Sequence, residues 1–284
     1  MLGSILVFSV VWGALYALTT LGFSLLFGAA GIVNLAHGAF FMIAAYAAFA
    51  FSSQLLHLPL WLAAACAVGL TVVVGVLIYA LTFRPVQADE PRLLMVGIGV
   101  ALLLQQIVRL IYGPAPKYVP ALRGGFFVLG ARVTTQQVVV VIGSCVLIAA
   151  ISLFLRSARL GKVLRAVAQD GTMAELLGID TRRVYLAVMA LSAALAGAAG
   201  VLAAPFLDVS PDMGWPLMLV AFVAVAVGGV QSIAGMGAAA LVLSVAQTLS
   251  NFLISPALGN IVIFVILIVL LAVRPQGLFG EAQT

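Results

Sequence analysis

The chain has 284 residues, of which 65% are hydrophobic and only 7% are charged, and its formal net charge is +5. Soluble globular domains carry about a quarter charged residues, so this composition excludes that class and indicates a polytopic membrane protein. Because the basic residues cluster in a few loops, the positive charge is a signal of membrane orientation and does not indicate nucleic-acid binding.

Apolar segments follow one another along the chain, and several reach the roughly 20 residues that cross a bilayer as a helix. They lack the alternating pattern of a membrane β-barrel. We therefore predict an all-α fold, a polytopic transmembrane helical bundle of eight to ten membrane segments with broken helices, in which residues 1–284 form a single transmembrane domain. The predicted segments are 5–27, 29–51, 60–83, 93–112, 136–155, 184–207, 217–230, 237–253 and 260–273. The seventh and the last are short for a full span.

Polar residues interrupt the start of the second segment, where Asn34, His37 and Gly38 stand among apolar residues. Inside a membrane, a polar group without a partner costs several kcal/mol, so these side chains must be bonded. In one interpretation Asn34 caps a new helix and His37 bonds a neighbouring carbonyl. In the other, a discontinuous helix lines a transport path. The two interpretations are compatible.

A second break is predicted at residues 228–232, with the sequence Gly-Gly-Val-Gln-Ser. When the two breaks are aligned, Asn34 falls opposite Gln231 and the flanking Gly and Val positions agree, which suggests an internal repeat. Paired breaks across a pseudo-symmetry axis often mark a substrate path. The candidates for the translocation path are therefore Asn34, His37, Gly38 and Gln231.

The longest polar stretch is 156–183, which holds six of the thirteen basic residues and is predicted to face the cytoplasm. Within it, Thr172 and Glu175 have the spacing of a capping box, and Gly178 suits the left-handed end of a helix. These signals predict a short helix over Met173–Leu177. The alternative is an ordinary loop in which the capping spacing arises by chance.

Asp180 is predicted to cap the long helix that follows the 156–183 loop. With this loop inside, strict alternation puts nine basic residues inside and four outside, which predicts a cytoplasmic C-terminus and, with nine spans, an outside N-terminus. The connections 113–135 and 208–216 then lie outside. We expect 113–135 to be an ordered loop with its Phe-Phe pair at the membrane interface; either connection could meet a partner or simply be solvated.

The chemistry that the spans lack is equally informative. No Asp, Glu or Lys lies in the middle of an apolar segment, which disfavours an ion-coupled carrier. There is no Walker A loop, so any ATP that drives the protein is bound by another chain. His37 and His57 have no acidic partner within their segments, so we predict no catalytic site, no metal site and no cofactor.

Four motifs resemble those of one family, the branched-chain amino acid permeases of bacterial ABC importers. They are GIVNLAHGAF at 31–40, RAVAQDGTMAELLGID at 165–180, GGVQSIAGMGAA at 228–239 and RPQGLFG at 274–280. The resemblance covers nearly the whole chain and looks most like the smaller of that family's two permease subunits.

The resemblance implies a non-enzymatic, multi-pass subunit of the bacterial inner membrane. Its expected partners are a second permease subunit, two cytoplasmic ATP-binding subunits and an extracytoplasmic solute-binding protein that delivers leucine, isoleucine, valine or a similar solute. By the same resemblance, 156–183 is the cytoplasmic coupling loop that docks on the ATPases. Its candidate coupling residues are Arg165, Ala166, Thr172, Ala174, Glu175 and Gly178. Related permeases carry urea, short amides or other amino acids, so these solutes are alternatives to the branched-chain amino acids. A second alternative is that the protein is a self-sufficient carrier or channel.

Overall fold

A computed structural model describes residues 2–30, 34–54, 56–86, 89–128, 130–229, 232–255 and 259–273. Helices make up most of these residues. They are α1 Leu2–Ala30, α2 His37–Phe49, α3 Leu60–Ile78, α4 Glu90–Tyr112, α5 Thr135–Ser157, α6 Arg159–Gln169, α7 Gly171–Leu176, α8 Thr181–Ala203, α9 Gly214–Gly228, α10 Ile233–Leu253 and α11 Gly259–Val273. Two of them continue as π-helical turns, α2 over Ala50–Gln54 and α3 over Tyr79–Phe83.

Each predicted apolar segment corresponds to one of these helices, which confirms the helical membrane fold. Among the described residues, six helical stretches are long and apolar enough to cross a bilayer, and they belong to α1, α3, α4, α5, α8 and α10. The other three segments correspond to α2, α9 and α11, which have 13, 15 and 15 residues. The second segment was predicted to begin at residue 29, but α1 runs to Ala30 and α2 begins only at His37.

A β-hairpin, which the sequence analysis did not predict, lies in the 113–135 connection. Strand β1, Gly125–Val128, pairs antiparallel with β2, Ala131–Thr134, so that Phe126 lies opposite Val133. Gly130 turns the chain with a φ of +76°, a conformation that glycine adopts without steric cost. All four residues of β1, including Phe126 and Phe127, are exposed, and the position of this segment at the membrane interface stays a prediction.

The chain divides into two compact units. The first comprises residues 1–21, 121–148 and 216–284, and the second comprises 22–120 and 149–215. The prediction that 1–284 forms a single domain stays a prediction.

Hydrogen bonds join the helices of the first unit. The Tyr16 hydroxyl on α1 donates to the Gln247 side chain on α10, and the Ser244 hydroxyl donates to the Ser9 carbonyl over 2.8 Å. Both pairs join helices that are distant in sequence. Because hydrocarbon offers no alternative partners, such bonds satisfy polar groups that would otherwise be costly to bury.

The core of the second unit is α8, which packs against α2 and α3. Six of its twelve buried residues are alanine or glycine, among them Ala193, Gly197 and Gly200, and such small residues let helix backbones approach closely. A Cβ atom at Gly200 would lie 3.0 Å from the carbonyl carbon of Phe41 and 3.2 Å from the Cβ of Ala44. The backbones of α8 and α2 are therefore too close for a larger residue at this position.

This close approach predicts opposite effects for two alanine substitutions in helices. Gly200→Ala should lower the free energy of unfolding by about 1–3 kcal/mol, because the new methyl group meets the α2 backbone. The matched control is Gly69→Ala on α3, where nothing lies within 4 Å of the added atom; it should be neutral or stabilise by up to about 1 kcal/mol. Thermal unfolding of the purified protein in detergent measures both, and equal midpoints for the two variants would contradict the packing.

Candidate functional site

The 156–183 loop contains two helices, α6 and α7, where one short helix was predicted. The sequence analysis missed α6, which buries Gly161, Leu164 and Val167 on one face and exposes its basic residues on the other. The signal was available, because three weakly polar or apolar residues recur every third position within a charged stretch. The loop is thus largely helical from Arg159 to Leu176.

Helix α7 spans Gly171–Leu176, so the prediction of Met173–Leu177 was close, but the predicted capping box was wrong. Asp170 occupies the N-cap, and its carboxylate accepts a hydrogen bond from the Met173 N–H at 2.9 Å. Thr172 is exposed inside the helix, and the Glu175 carboxylate accepts from the Thr181 hydroxyl at the start of α8. The helix starts earlier than predicted because Asp170 is an equally good N-cap and lies two residues closer to α6.

The C-terminal end of α7 confirms the role predicted for Gly178, whose φ is +83°. Its N–H donates to the Glu175 carbonyl at 2.9 Å, and the Ile179 N–H donates to the Ala174 carbonyl at 3.0 Å. This pair of bonds is the Schellman motif, which closes a helix through a left-handed residue. The chain then turns directly into α8, where Asp180 accepts from the Arg183 N–H at 3.2 Å, as predicted.

Contacts with α8 and with the end of α5 hold the two short helices in place. Ala174 is 3% exposed and is buried together with Leu164, Val167 and Val184, where α6, α7 and α8 contact one another. The Arg165 guanidinium donates to the Leu155 carbonyl near the end of α5. These contacts stabilise a helix of six residues that would not be stable alone.

The outer face of α7 is apolar and exposed. Met173, Leu176 and Leu177 are 58%, 79% and 82% exposed, although the surrounding loop is polar. We call these three residues the α7 apolar surface. The sequence analysis did not single them out, yet three large apolar side chains in a charged loop are a signal of a contact surface. Of the predicted coupling residues, Thr172, Glu175 and Gly178 are exposed beside this surface.

Ala166 and Arg165 lie further from the α7 apolar surface, on α6. The carbonyl of Ala166 accepts a hydrogen bond from the Asp170 N–H at 3.1 Å, which ends α6 where α7 begins. The structure therefore brings the six predicted coupling residues into one small helical structure. Within it, Ala174 and Arg165 make the internal contacts.

The first predicted break lies in the second unit, between the end of α1 and the start of α2. The Asn34 side chain is 1% exposed, and its Oδ1 accepts from the Ala36 N–H at 3.0 Å. Its carbonyl accepts from the His37 N–H at 3.1 Å, so Asn34 forms the turn that precedes α2, while Ala36 occupies the N-cap itself. The Asn34 Nδ2 lies 3.8 Å from the Met189 sulfur on α8.

His37 is completely buried at the first position of α2. Its Nδ1 lies 3.2 Å from the Ser192 hydroxyl on α8, and its ring meets the Phe23 ring edge-on, with centroids 6.0 Å apart. The Gly38 carbonyl packs against Gly214. Asn34 thus precedes the N-cap instead of occupying it, and His37 meets a hydroxyl on α8 where a neighbouring carbonyl was predicted. The role of both residues in a transport path stays a prediction.

The second predicted break is also present. Helix α9 ends at Gly228, Gly229 has a φ of +76°, and the Ser232 hydroxyl caps α10 by accepting from the Gly235 N–H at 2.9 Å. Gln231, the fourth candidate for the path, lies outside the described residues.

Comparisons with known proteins agree over nearly the whole chain. Residues 5–271 match the family model described as branched-chain amino acid transport system, permease component. The high-affinity branched-chain amino acid transport system permease protein LivH of Escherichia coli K12 is 34% identical over 289 residues, which cover 96% of this chain and 94% of LivH. The corresponding BraD of Pseudomonas aeruginosa is 30% identical over 286 residues, covering 95% and 93%.

One solved structure, PsaBC from Streptococcus pneumoniae in complex with Fab, has a similar fold. The TM-score is 0.53 at 11% identity, and the match covers 97% of this chain and 94% of the other. At this identity the likeness concerns the fold alone.

The observed cap of α7 predicts different effects for two neighbouring substitutions. Asp170→Ala should weaken protection of the Met173 and Ala174 amides by about 1 kcal/mol, because the N-cap acceptor is lost. Thr172→Ala should leave protection almost unchanged, since the Thr172 side chain does not cap the helix. Amide hydrogen exchange measured by mass spectrometry distinguishes them, and the reverse order would restore the capping box.

The contact between His37 and Ser192 predicts a loss of stability when the hydroxyl is removed. Ser192→Ala should lower the free energy of unfolding by about 1–3 kcal/mol, because a buried imidazole nitrogen loses a partner. The control is Ser210→Ala, at a half-buried serine outside the helices. Thermal unfolding in detergent is the measurement. Unchanged stability together with impaired uptake would favour a path role for His37 over a structural one.

Proposed function

The chain belongs to the permease family of branched-chain amino acid transport systems, and we propose that it is the membrane-spanning subunit of an ATP-driven importer of branched-chain or closely related amino acids. The family match over residues 5–271 is the observation that carries this proposal. It confirms the resemblance seen in the four sequence motifs and identifies a multi-pass membrane permease.

The proposed importer contains further chains. A second permease subunit pairs with this one, two cytoplasmic ATP-binding subunits hydrolyse ATP, and an extracytoplasmic binding protein delivers the solute. The permease chain itself carries no ATP-binding loop in its sequence, which fits this division of work.

Coupling to the ATP-binding subunits is proposed to occur through the α7 apolar surface. Exposed Leu176 and Leu177 suit a groove on a protein partner, since large exposed apolar patches mark interaction sites. The helix beneath them is fixed at both ends, by Asp170 and by Gly178, and is seated on α8 through buried Ala174. A short helix fixed in this way moves as a rigid body when its partner moves, and passes that motion to α8.

The remaining predicted coupling residues stabilise the position of α6 and α7 in this proposal. Arg165 ties α6 to the end of α5, and Glu175 ties α7 to Thr181. Ala166 and Thr172 flank the junction between the two helices. Displacement of α7 would then act on α8, whose middle carries Met189 and Ser192 against the break at Asn34 and His37, the proposed start of the translocation path.

Substitutions on the α7 apolar surface test the coupling role in the reconstituted importer. Leu176→Ser combined with Leu177→Ser should reduce ATP-driven leucine uptake at least about ten-fold, because a buried leucine at an interface contributes roughly 1.5–3 kcal/mol. Unfolding midpoints should not change, since both side chains are exposed in the isolated chain. Leu2→Ser, at another highly exposed leucine, is the control and should transport normally.

Crosslinking shows whether the contact exists. In a background without Cys66 and Cys145, a cysteine at Leu176 should crosslink to an ATP-binding subunit, whereas a cysteine at exposed Tyr118, on the predicted outer side, should not. Normal uptake by the double serine variant, or failure to crosslink anywhere over 171–178, would overturn the coupling role.

Competition of labelled leucine uptake by urea, acetamide and other amino acids identifies the solute class.

A further inference from the structure

Four side chains of the second unit form a continuous polar cluster at the Tyr112 end of α4. The Asp212 carboxylate accepts from the Arg109 Nη2 at 2.8 and 3.1 Å, and also from the Gln105 amide. The Gln105 Oε1 in turn accepts from the Trp215 indole N–H at 2.9 Å. We call these residues the Arg109–Asp212 cluster. It lies on the side of the chain that the charge distribution predicts to be extracytoplasmic.

The cluster has unused hydrogen-bonding capacity at its buried edge. Tyr46 is 2% exposed, and within the described part of the chain its hydroxyl has no hydrogen-bond partner; the same holds for the Arg109 Nε. The Tyr46 ring packs on the Tyr112 ring with centroids 4.9 Å apart, so Tyr46 lies near the Arg109 end of α4. Buried polar groups are nearly always bonded, and an unbonded one next to an accessible ion pair points to a ligand that completes it.

The ion pair itself is accessible from solvent. The Asp212 and Arg109 side chains are 66% and 39% exposed, so a small solute can reach both charges. A structural tie is not needed here, because the Asp212 segment is already held by two backbone bonds between Lys117 and Val209, of 2.9 and 3.0 Å. Partly exposed ion pairs of this kind add little to stability.

The chemistry of the cluster matches an α-amino acid. A guanidinium binds a carboxylate in a two-pronged geometry, and an aspartate accepts hydrogen bonds from an ammonium group. Aromatic rings lie on the Tyr46 side of the cluster, since Tyr112 packs on Tyr46 with centroids 4.9 Å apart and Phe49 packs on Tyr112. Such rings provide an apolar surface for a solute side chain.

We propose that the Arg109–Asp212 cluster is a low-affinity entry site for amino-acid zwitterions. The α-carboxylate binds Arg109 and the Tyr46 hydroxyl, and the α-ammonium binds Asp212, so that the solute replaces the internal ion pair. This inference rests on the proposed function as an amino-acid importer and adds to it the first contact that the solute makes with the permease. The site selects for the zwitterion, which all α-amino acids share, and leaves side-chain selection to the binding protein.

The test uses the assembled transporter in lipid nanodiscs without its binding protein, and leucine as the probe. Saturation-transfer NMR should detect leucine binding to the wild type. Arg109→Gln and Asp212→Asn should each weaken it by ~10-fold or more, because each removes a charge-assisted contact. Tyr46→Phe should weaken it by about 5-fold. Lys117→Gln and Asp208→Asn are matched controls on the same side of the chain and should bind leucine normally.

Two analogues separate recognition from a structural role. In the wild type, 4-methylpentanoate, which lacks the ammonium group, and 3-methylbutylamine, which lacks the carboxylate, should bind at least ~10-fold more weakly than leucine. Asp212→Asn should abolish the preference for leucine over 4-methylpentanoate. Arg109→Gln should abolish the preference for leucine over 3-methylbutylamine. An equal loss for all three compounds, or wild-type leucine binding in both variants, would overturn the entry site.

Uptake with the binding protein present separates this inference from the proposed function. If the wild type imports leucine and the Arg109 and Asp212 variants import it with unchanged KM, the entry site is wrong and the importer stands. If the wild type does not import leucine, the proposed solute is wrong, and the NMR comparison with the analogues still decides the entry site.

Discussion

The close packing of α8 against α2 and α3 is the constraint on which both the α7 apolar surface and the break at Asn34 and His37 depend. Lipid provides no hydrophobic drive for helices to associate, so they approach closely through small residues and satisfy their polar groups across the contact. Gly200 brings α8 against the backbone of Phe41, and Ser192 and Met189 meet His37 and Asn34 further along the same helix. The start of α2 is thereby fixed by a neighbour that is distant in sequence.

The same helix carries the 156–183 loop. Thr181 at its first turn bonds to Glu175, and Val184 is buried with Ala174 of α7. From Thr181 to Ser192 the helix rises about 16 Å at 1.5 Å per residue. One rigid element thus connects the α7 apolar surface with the break at His37. Such a connection gives a physical basis for coupling, because a packed helix shifts as a whole and does not deform locally.

Local signals predicted some elements of this loop well and others poorly. Gly178 was predicted correctly, because a left-handed helix end depends on a single residue and its immediate hydrogen bonds. The N-terminal end was mistaken, since Asp170 and Thr172 are both good capping residues and the choice depends on where α6 ends. The hairpin Gly125–Thr134 escaped prediction because its strands are only four residues long.

The sequence by itself determined the membrane class, the existence and approximate position of the nine predicted helical segments, both helix breaks and the family. These follow from the length of apolar runs, from residues with strong local preferences and from motifs along the chain, none of which requires knowledge of distant contacts. Only the tertiary structure decided that His37 bonds Ser192, that Ala174 is buried while Leu176 is exposed, and that Arg109 meets Asp212. His37 and Ser192 lie on different helices, and Arg109 and Asp212 are 103 residues apart. The pairing is set by how the helices pack, and an apolar helix of uniform composition carries no local pattern that specifies its neighbour.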